Sequence, residues 1–502
     1  MSLLSISYSI LISNSLIVLL LTTIILYYKW SFNYWKKKKI PHPKPMIPFG
    51  NLLTYSYTLP SMHSFLKITY DLMKAEGHKH CGLYFVSRPF YMPVNPEYVK
   101  AILTKDFVHF ADRGLYYDEK EEPLGAHLLV LEGEQWRKMR TKFTPTFTGG
   151  KIKLMFGGLM SCAQKMLEVV QETDVHPIDI KEICACFTTD VIGTCVFGIN
   201  CKSFDESDAE FRRHGRRLFK MSFSFVLKII LSSSFRKLAK LLQVKIVNAE
   251  ATEFFMEVVK KTIKYREEHN VTRNDFIQLL MDLRKTDKGL SINEIAAQSF
   301  LFFAAGFETS STTMTFCIYE LAHNQDIQEK VRKEIEDVLD KYDGVLTYDS
   351  VLEMKYLDRV IDETLRKHPP VPNLPRICTM DYKLPDGENY IEAGTHIFVP
   401  VFALHRDAEY YPDPEKFDPE RFTEENKSKR HPYAYLPFGE GPRICLGQRF
   451  GQLQVKIGLI TLIRRYCFTP NSNTPYPMDY DKNSIFLTVK DPVWINTKRI
   501  TT

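Results

Sequence analysis

Ten residues of this 502-residue chain, Phe438-Gly439-Glu440-Gly441-Pro442-Arg443-Ile444-Cys445-Leu446-Gly447, crowd three glycines, a proline and an arginine around one cysteine. That composition makes a constrained loop and not the interior of a helix or strand. Directly after it, Leu446, Phe450, Leu453, Ile457 and Ile460 recur at steps of four and three, the period of a buried amphipathic helix. Cys445 therefore stands near a helix N-terminus, where unpaired N–H groups and the helix dipole favour a thiolate over a thiol. A thiolate held in a glycine-rich turn is suited to ligate the iron of a haem, with Arg443 in reach of a haem propionate. A cysteine taken alone is more often an ordinary buried side chain; the loop around this one separates the two readings.

A second group of residues has matching chemistry. Ser291-Ile292-Asn293-Glu294 is a capping box that opens a long helix, predicted to run to about Ala322. Within it Ala305 and Gly306 leave a thin spot where a flat ring or a bound dioxygen can approach the backbone. Glu308 and Thr309 follow at once. A hydroxyl that donates and is reprotonated through water, with a carboxylate as relay, can deliver the protons that splitting dioxygen requires.

The pattern Phe-Gly-x-Gly-x-Arg-x-Cys-x-Gly around Cys445 resembles the haem-binding loop of the cytochromes P450, and Ala-Gly-x-Glu-Thr resembles that family's oxygen-activation segment. The resemblance extends from about Pro41 to the end and is similar to the insect xenobiotic-metabolising members of the microsomal group. It implies a mainly α fold with a smaller β part. It also implies a haem b held by Cys445 as axial ligand, with Phe438, Gly447, Ala305 and Gly306 against the ring. Arg113, Trp136, Arg140, Arg376 and Arg443 are then the propionate partners. It assigns Glu363 and Arg366 of Glu-Thr-Leu-Arg, with Arg421 of Pro-Glu-Arg-Phe, to a buried structural network. Val371 to Leu374 would face the substrate, and the region around Met221 to Leu231, flanked by Lys220 and Lys228, would roof the cavity. Family members often carry a Pro and Gly turn near Thr488-Val489-Lys490-Asp491-Pro492, and this chain does not.

These groups must be positioned by a large body. Hydrophobic residues make up 44% and charged residues 25% of the chain, with few glycines and no visible repeat, which favours one compact catalytic unit. The net charge of +6 is mild and partly explained by Lys36 to Lys39, so charge gives no case for nucleic acid. Ten scattered cysteines without CxxC spacing point to reduced thiols facing a cytosol. Residues 1–28 carry no charge and are long enough to span a bilayer. Trp30, Tyr34 and Trp35 would form an aromatic belt, and the following lysines place the body on the cytosolic side. The expected organisation is an anchor over 1–28, a basic and proline-rich hinge over 29–50, and a catalytic domain over 51–502. Leu83 to Val86 and Phe90 to Val94 read as strands about a turn, and Phe187 to Phe197, Phe211 to Lys245 and Thr252 to Glu268 as helices.

The reaction implied is insertion of one oxygen atom of O2 into apolar small molecules, such as plant toxins, insecticides, steroids or fatty acids. No glycine-rich nucleotide motif follows a strand, so electrons must come from a partner. The family uses NADPH-cytochrome P450 reductase, with cytochrome b5 as an auxiliary donor, on the endoplasmic reticulum membrane. Lys138, Lys142, Lys429, Arg430 and Arg449 are expected to form a basic docking patch. Two other functions fit the same loop: a reductase-independent haem-thiolate isomerase or dehydratase, and a non-catalytic membrane protein that carries haem or sequesters ligand. Relatives of the isomerase kind tend to lose the acid–threonine pair, which this chain keeps.

Overall fold

The computed structural model describes residues 3–53, 61–172, 177–206, 209–218, 222–285 and 289–500. The first helix, α1, covers Leu3–Ser31 and is the helix long and apolar enough to cross a membrane among the described residues. It continues three residues past the predicted end, because Lys29 and Trp30 extend its last turn.

The hinge expected over 29–50 is instead docked. Trp35 is fully buried and donates its indole N–H to the Leu83 carbonyl at 3.0 Å. Its own N–H reaches the Tyr84 hydroxyl at 3.0 Å, Gly82 donates to Pro41, and Ile40 is buried beside it. A Cβ on Gly82 would collide with the Trp35 ring, so the glycine is what lets the indole lie flat on the strand. Trp35 is thus a core residue and not part of an interfacial belt, whereas Trp30 is 69% exposed.

The strand receiving Trp35 is β1, His80–Phe85, which pairs antiparallel with β2, Arg88–Pro93, across Val86-Ser87. Further along lie α2, Gly133–Phe143, and α3, Ile180–Ile192, the latter capped by Asp179, which accepts from the N–H groups of Lys181 and Glu182. The helix expected over Phe187 to Phe197 therefore starts earlier, and it ends in a π turn at Gly198 with φ +69°.

The single helix expected from Phe211 to Lys245 is broken into α4, Glu210–Leu218, α5, Phe223–Ser234, and α6, Arg236–Leu241. The Ser222 hydroxyl accepts from the Phe225 N–H and starts a new helix. Lys220 and Met221 lie outside the described residues. Next come α7, Ala249–His269, and α8, Ile292–His323, whose Ser291–Glu294 capping box forms as read and whose end falls one residue beyond the expected one. The remaining elements that position the site are α9, Lys355–Lys367, β3, Leu374–Ile377, β4, His396–Val399, and α10, Gln448–Ile463.

The main sheet has the order β1-β2-β4-β3, with β4 parallel to β2 and antiparallel to β3. One hydrophobic core surrounds α8 and α10; a second lies under the sheet and includes Trp35. The chain is mainly helical with a smaller β part, as the sequence indicates.

Candidate active site

The cysteine loop is built from left-handed glycines. Gly439 has φ +72° and Gly441 φ +75°. Gly441 is doubly constrained, since a Cβ there would strike the Leu103 carbonyl. The Cys445 N–H donates to Phe438 O at 2.9 Å and closes the loop, and α10 starts at Gln448 behind it. Cys445 is the one exposed cysteine of ten. Its exposure is to an internal cavity of about 1190 Å³ and not to bulk solvent. Burial accordingly pushes its thiol up, while the Gly447 N–H and the Arg140 and Arg113 guanidinia pull it back. The loop's dipole and cations alone do not secure a thiolate; a coordinated metal deprotonates a thiol outright.

Arg113, Trp136, Arg140, Arg376, Arg443, Phe438 and Gly447 all line this cavity. The sheet delivers Arg376 from β3, where it faces Ile397; α2 delivers Trp136 and Arg140 from one face. Burial and the neighbouring guanidinia of Arg113 and Arg443 hold Arg376 far below the usual arginine range, and its Nε has no partner among the described residues. Arg113 is likewise held down to about 10 and Arg443 to about 9, burial being the larger cause in each. Buried cations in such numbers call for anions. Two propionates beside one accessible thiol fit that demand, so these residues suit a haem.

Arg443 has protein partners as well. It donates to the carbonyls of Ala111 (2.7 Å), Leu128 (3.4 Å) and Leu131 (2.9 Å) and to Asp112 Oδ1 (3.3 Å), and it stacks 3.9 Å from the Trp136 ring centroid. Most of its donors are spent on tying the 111–131 segment to the cysteine loop. Arg113, which bonds only carbonyls at Leu129 and Arg443, retains donors for a carboxylate.

On α8, Ala305 is exposed to the cavity, and Thr309 lines it with its hydroxyl donated to Ala305 O at 2.7 Å. Gly306 lines the cavity too, but a Cβ there would meet the Ile192 side chain. Its missing side chain serves the packing of α8 on α3. Glu308 faces a different space, a small void that it shares with Lys181, Arg212, Ser311 and Thr312. Burial raises its carboxyl, opposed by Arg212 and Lys181. The void's far wall is Thr488 and Val489, while Ile485 and Phe486 line the main cavity, so the pocket edge is built differently from a Pro–Gly turn. Val371 to Leu374 line the cavity as expected.

Behind the site, Arg366 and Glu363 are both fully buried and pair through two bonds of 2.6 and 2.9 Å. Burial opposes the charge on Arg366, and Glu363 more than compensates, holding it above its ordinary value. Arg421 Nε lies 3.5 Å from Glu363, an ion pair rather than a hydrogen bond, and the Asp418 N–H donates to the same carboxylate at 2.8 Å.

His405, which no sequence signal marks, completes this network. Arg366 donates to its carbonyl at 3.0 Å, its Nδ1–H donates to Arg366 O, and its Nε2 accepts from the Leu436 N–H at 2.8 Å, two residues before Phe438. Burial and Arg366 hold it down at about 3, and burial likewise holds His63 and His368 at about 4. The unfolded chain protonates these imidazoles below about pH 6.5 while the folded one does not, so stability is lost as pH falls. Thermal unfolding followed by pigment loss should show a flat Tm above about pH 7 and a steady fall from about 6.5 to 5, where His405 alone costs up to about 2 kcal/mol. A Tm that holds or rises toward pH 5 would contradict the neutral assignments.

Of the expected basic patch, Lys138, Lys429 and Arg449 are exposed and Lys142 half-buried. Lys429 pairs with Glu425 at 2.5 Å, and Arg430 is packed 4.7 Å over Tyr411 and 4.8 Å over Phe422.

The family model "Cytochrome P450" matches residues 40–496. The chain is 41% identical over 93% of its length to "Probable cytochrome P450 6a14" of Drosophila melanogaster, covering 96% of that protein. It is 40% identical to "Cytochrome P450 6a2" of the same fly, over 94% of this chain and 96% of the relative, and 40% identical to "Cytochrome P450 6A1" of Musca domestica, over 96% of each. With the accessible cysteine, its cationic surround and the threonine of the same cavity on the page, the chain belongs to the cytochrome P450 family and is a haem-thiolate monooxygenase.

Proposed function

We propose that this enzyme inserts one oxygen atom into apolar small molecules, xenobiotics such as plant toxins or insecticides among them. NADPH-cytochrome P450 reductase supplies the electrons, on the cytosolic face of the endoplasmic reticulum membrane to which α1 anchors it. The observation that carries the reading is one cavity lined by Phe300, Phe302, Ile361, Leu365, Val371 and Leu374 together with a single accessible thiol, Cys445. The haem, when bound, supplies the site at which dioxygen is activated. The chain's own residues orient and dry the substrate and move protons.

The Thr309 hydroxyl, donating to Ala305, still presents lone pairs to the cavity and can turn to donate. Glu308, raised by burial, holds a proton closer to neutral pH than an exposed carboxyl does. Lys181 and Arg212 stand beside it in the same void. Lys138 and Arg449 offer the exposed cations against which an acidic reductase surface docks.

Reconstitution with the reductase in vesicles tests the assignment: turnover of an apolar probe should require both reductase and NADPH, and ligand binding without product would refute it. In the same assay Thr309→Ala should keep pigment and substrate binding while product per NADPH falls at least ~10-fold, the remaining oxygen leaving as hydrogen peroxide. An unchanged ratio would remove Thr309 from the proton path.

A further inference from the structure

His368 ends α9 where the chain turns into the cavity wall. Its N–H closes the helix on Thr364 O at 2.7 Å, and Pro370 and Val371, just beyond it, line the cavity. One face of α8 fixes the ring. The imidazole stacks on Phe316 with centroids 4.2 Å apart and planes 7° from parallel. Its Nε2 meets Oε1 of Glu320, one turn further along α8, at 2.7 Å. Lys367 Nζ reaches the same oxygen at 2.9 Å. The second ring nitrogen of His368, Nδ1, lies 2.9 Å from the Tyr480 hydroxyl.

The groups themselves set the direction of each bond. Burial opposes the charge on Glu320, but His368 and Lys367 outweigh it and hold the carboxyl at about 2. A carboxylate only accepts, so Nε2 of His368 carries the proton. Burial, the larger cause, holds His368 at about 4 against the pull of Glu320, which leaves Nδ1 as a lone pair. Tyr480 therefore donates to it, and burial, which raises the phenol, keeps that proton in place. Arg406, which can only donate, gives the phenol oxygen its other bond at 3.1 Å.

Tyr480 stands at the base of a loop. The Asp481 N–H donates to Thr488 O at 2.8 Å and closes it, and Ile485 and Phe486 near its tip line the cavity. The outgoing leg is held twice. The Leu487 N–H donates to Pro370 O at 2.9 Å, and Lys181 Nζ donates to Val489 O at 2.5 Å. The incoming leg is held at the Tyr480 hydroxyl, on the same turn of chain as Pro370. Neither Tyr480 nor His368 is among the residues that line the cavity.

We propose that Tyr480 is a positioning residue: its hydroxyl, donated to His368, fixes Ile485 and Phe486 relative to Val371 and Leu374 and so limits the bulk of the apolar substrates that the cavity admits. The inference rests on the reading of the cavity as a substrate site and names what sets its size limit. Without that bond the incoming leg is free to swing outward, and the edge of the cavity widens.

The test uses the full-length holoprotein and two apolar probes without hydrogen-bonding atoms, naphthalene and the broader pyrene. Their Kd values are read from quenching of the probe's own fluorescence in the wild type, Tyr480→Phe, His368→Phe and the double variant. In Tyr480→Phe the ratio of the pyrene Kd to the naphthalene Kd should fall ~3- to 10-fold, the worth of one neutral hydrogen bond, with the naphthalene Kd little changed. His368→Phe keeps a ring on Phe316 but offers no acceptor, and should give the same fall. The double variant should add nothing, because both substitutions remove one bond. Amide exchange over residues 481–488 should quicken by a similar factor in Tyr480→Phe. A ratio unchanged in Tyr480→Phe, effects that multiply in the double variant, or exchange as slow as in the wild type overturns the proposal. Pigment content and reductase-dependent turnover of the wild type are measured on the same preparations, so that failure of the positioning role is distinct from failure of the monooxygenase reading.

Discussion

Cys445→Ser is expected to yield a folded protein without thiolate-type pigment and with monooxygenase turnover lowered by at least ~10³-fold. The loop should survive, because its closure depends on the residue 445 N–H and on Gly439 and Gly441, and none of these involves the sulfur. What is lost is the group. A serine hydroxyl does not deprotonate at neutral pH in a buried site, whereas a thiol gives up its proton to a metal. The electron push that a thiolate supplies for O–O cleavage goes with it. Gly441→Ala makes the complementary case, since it keeps the sulfur and drives a Cβ into the Leu103 carbonyl. Pigment and turnover retained in Cys445→Ser would contradict the account.

The second large effect is structural. Arg366→Leu should destabilise the protein by about 3–5 kcal/mol, a large part of a typical total stability of about 5–15 kcal/mol. Glu363 is left fully buried without its bidentate partner, and the carbonyls of His405 and Lys416 lose a donor. The yield of pigmented protein should collapse. Arg421→Ala should cost much less, because that side chain stands 3.5 Å from Glu363 and its Nη2 is engaged with the Asp413 carbonyl. The double variant Glu363→Met/Arg366→Met should recover part of the loss, as removal of both charges spares the unpaired one. Equal losses in Arg366→Leu and Arg421→Ala would show that the three residues do not act in the unequal way their distances indicate.

What the sequence discloses and what it hides divide along contact range. The cysteine loop, the Ser291–Glu294 capping box and the Glu363–Arg366 pair are local patterns. Their partners stand within a few residues, and each forms as read. Arg443 is legible as a cation near the haem but not as a clamp, because its acceptors at Ala111, Leu128 and Leu131 come from more than three hundred residues earlier. Glu308 and Thr309 are adjacent in sequence, so a helix turns them about 100° apart, and two different cavities receive them. Trp35 has the company of an interfacial aromatic, four lysines downstream and an apolar helix upstream. Only the Leu83 carbonyl and the vacancy over Gly82 make it a core residue. His405 has no local signature; burial and distant partners give it its role.

The central claim, that Cys445 ligates a haem iron as a thiolate, is tested most directly by the carbon-monoxide difference spectrum of the reduced full-length protein in membranes. The red-shifted Soret band that a thiolate-ligated haem gives should appear at one haem per chain and disappear in Cys445→Ser. A band of the histidine- or oxygen-ligated type in the freshly prepared wild type, or no pigment at all, would contradict it.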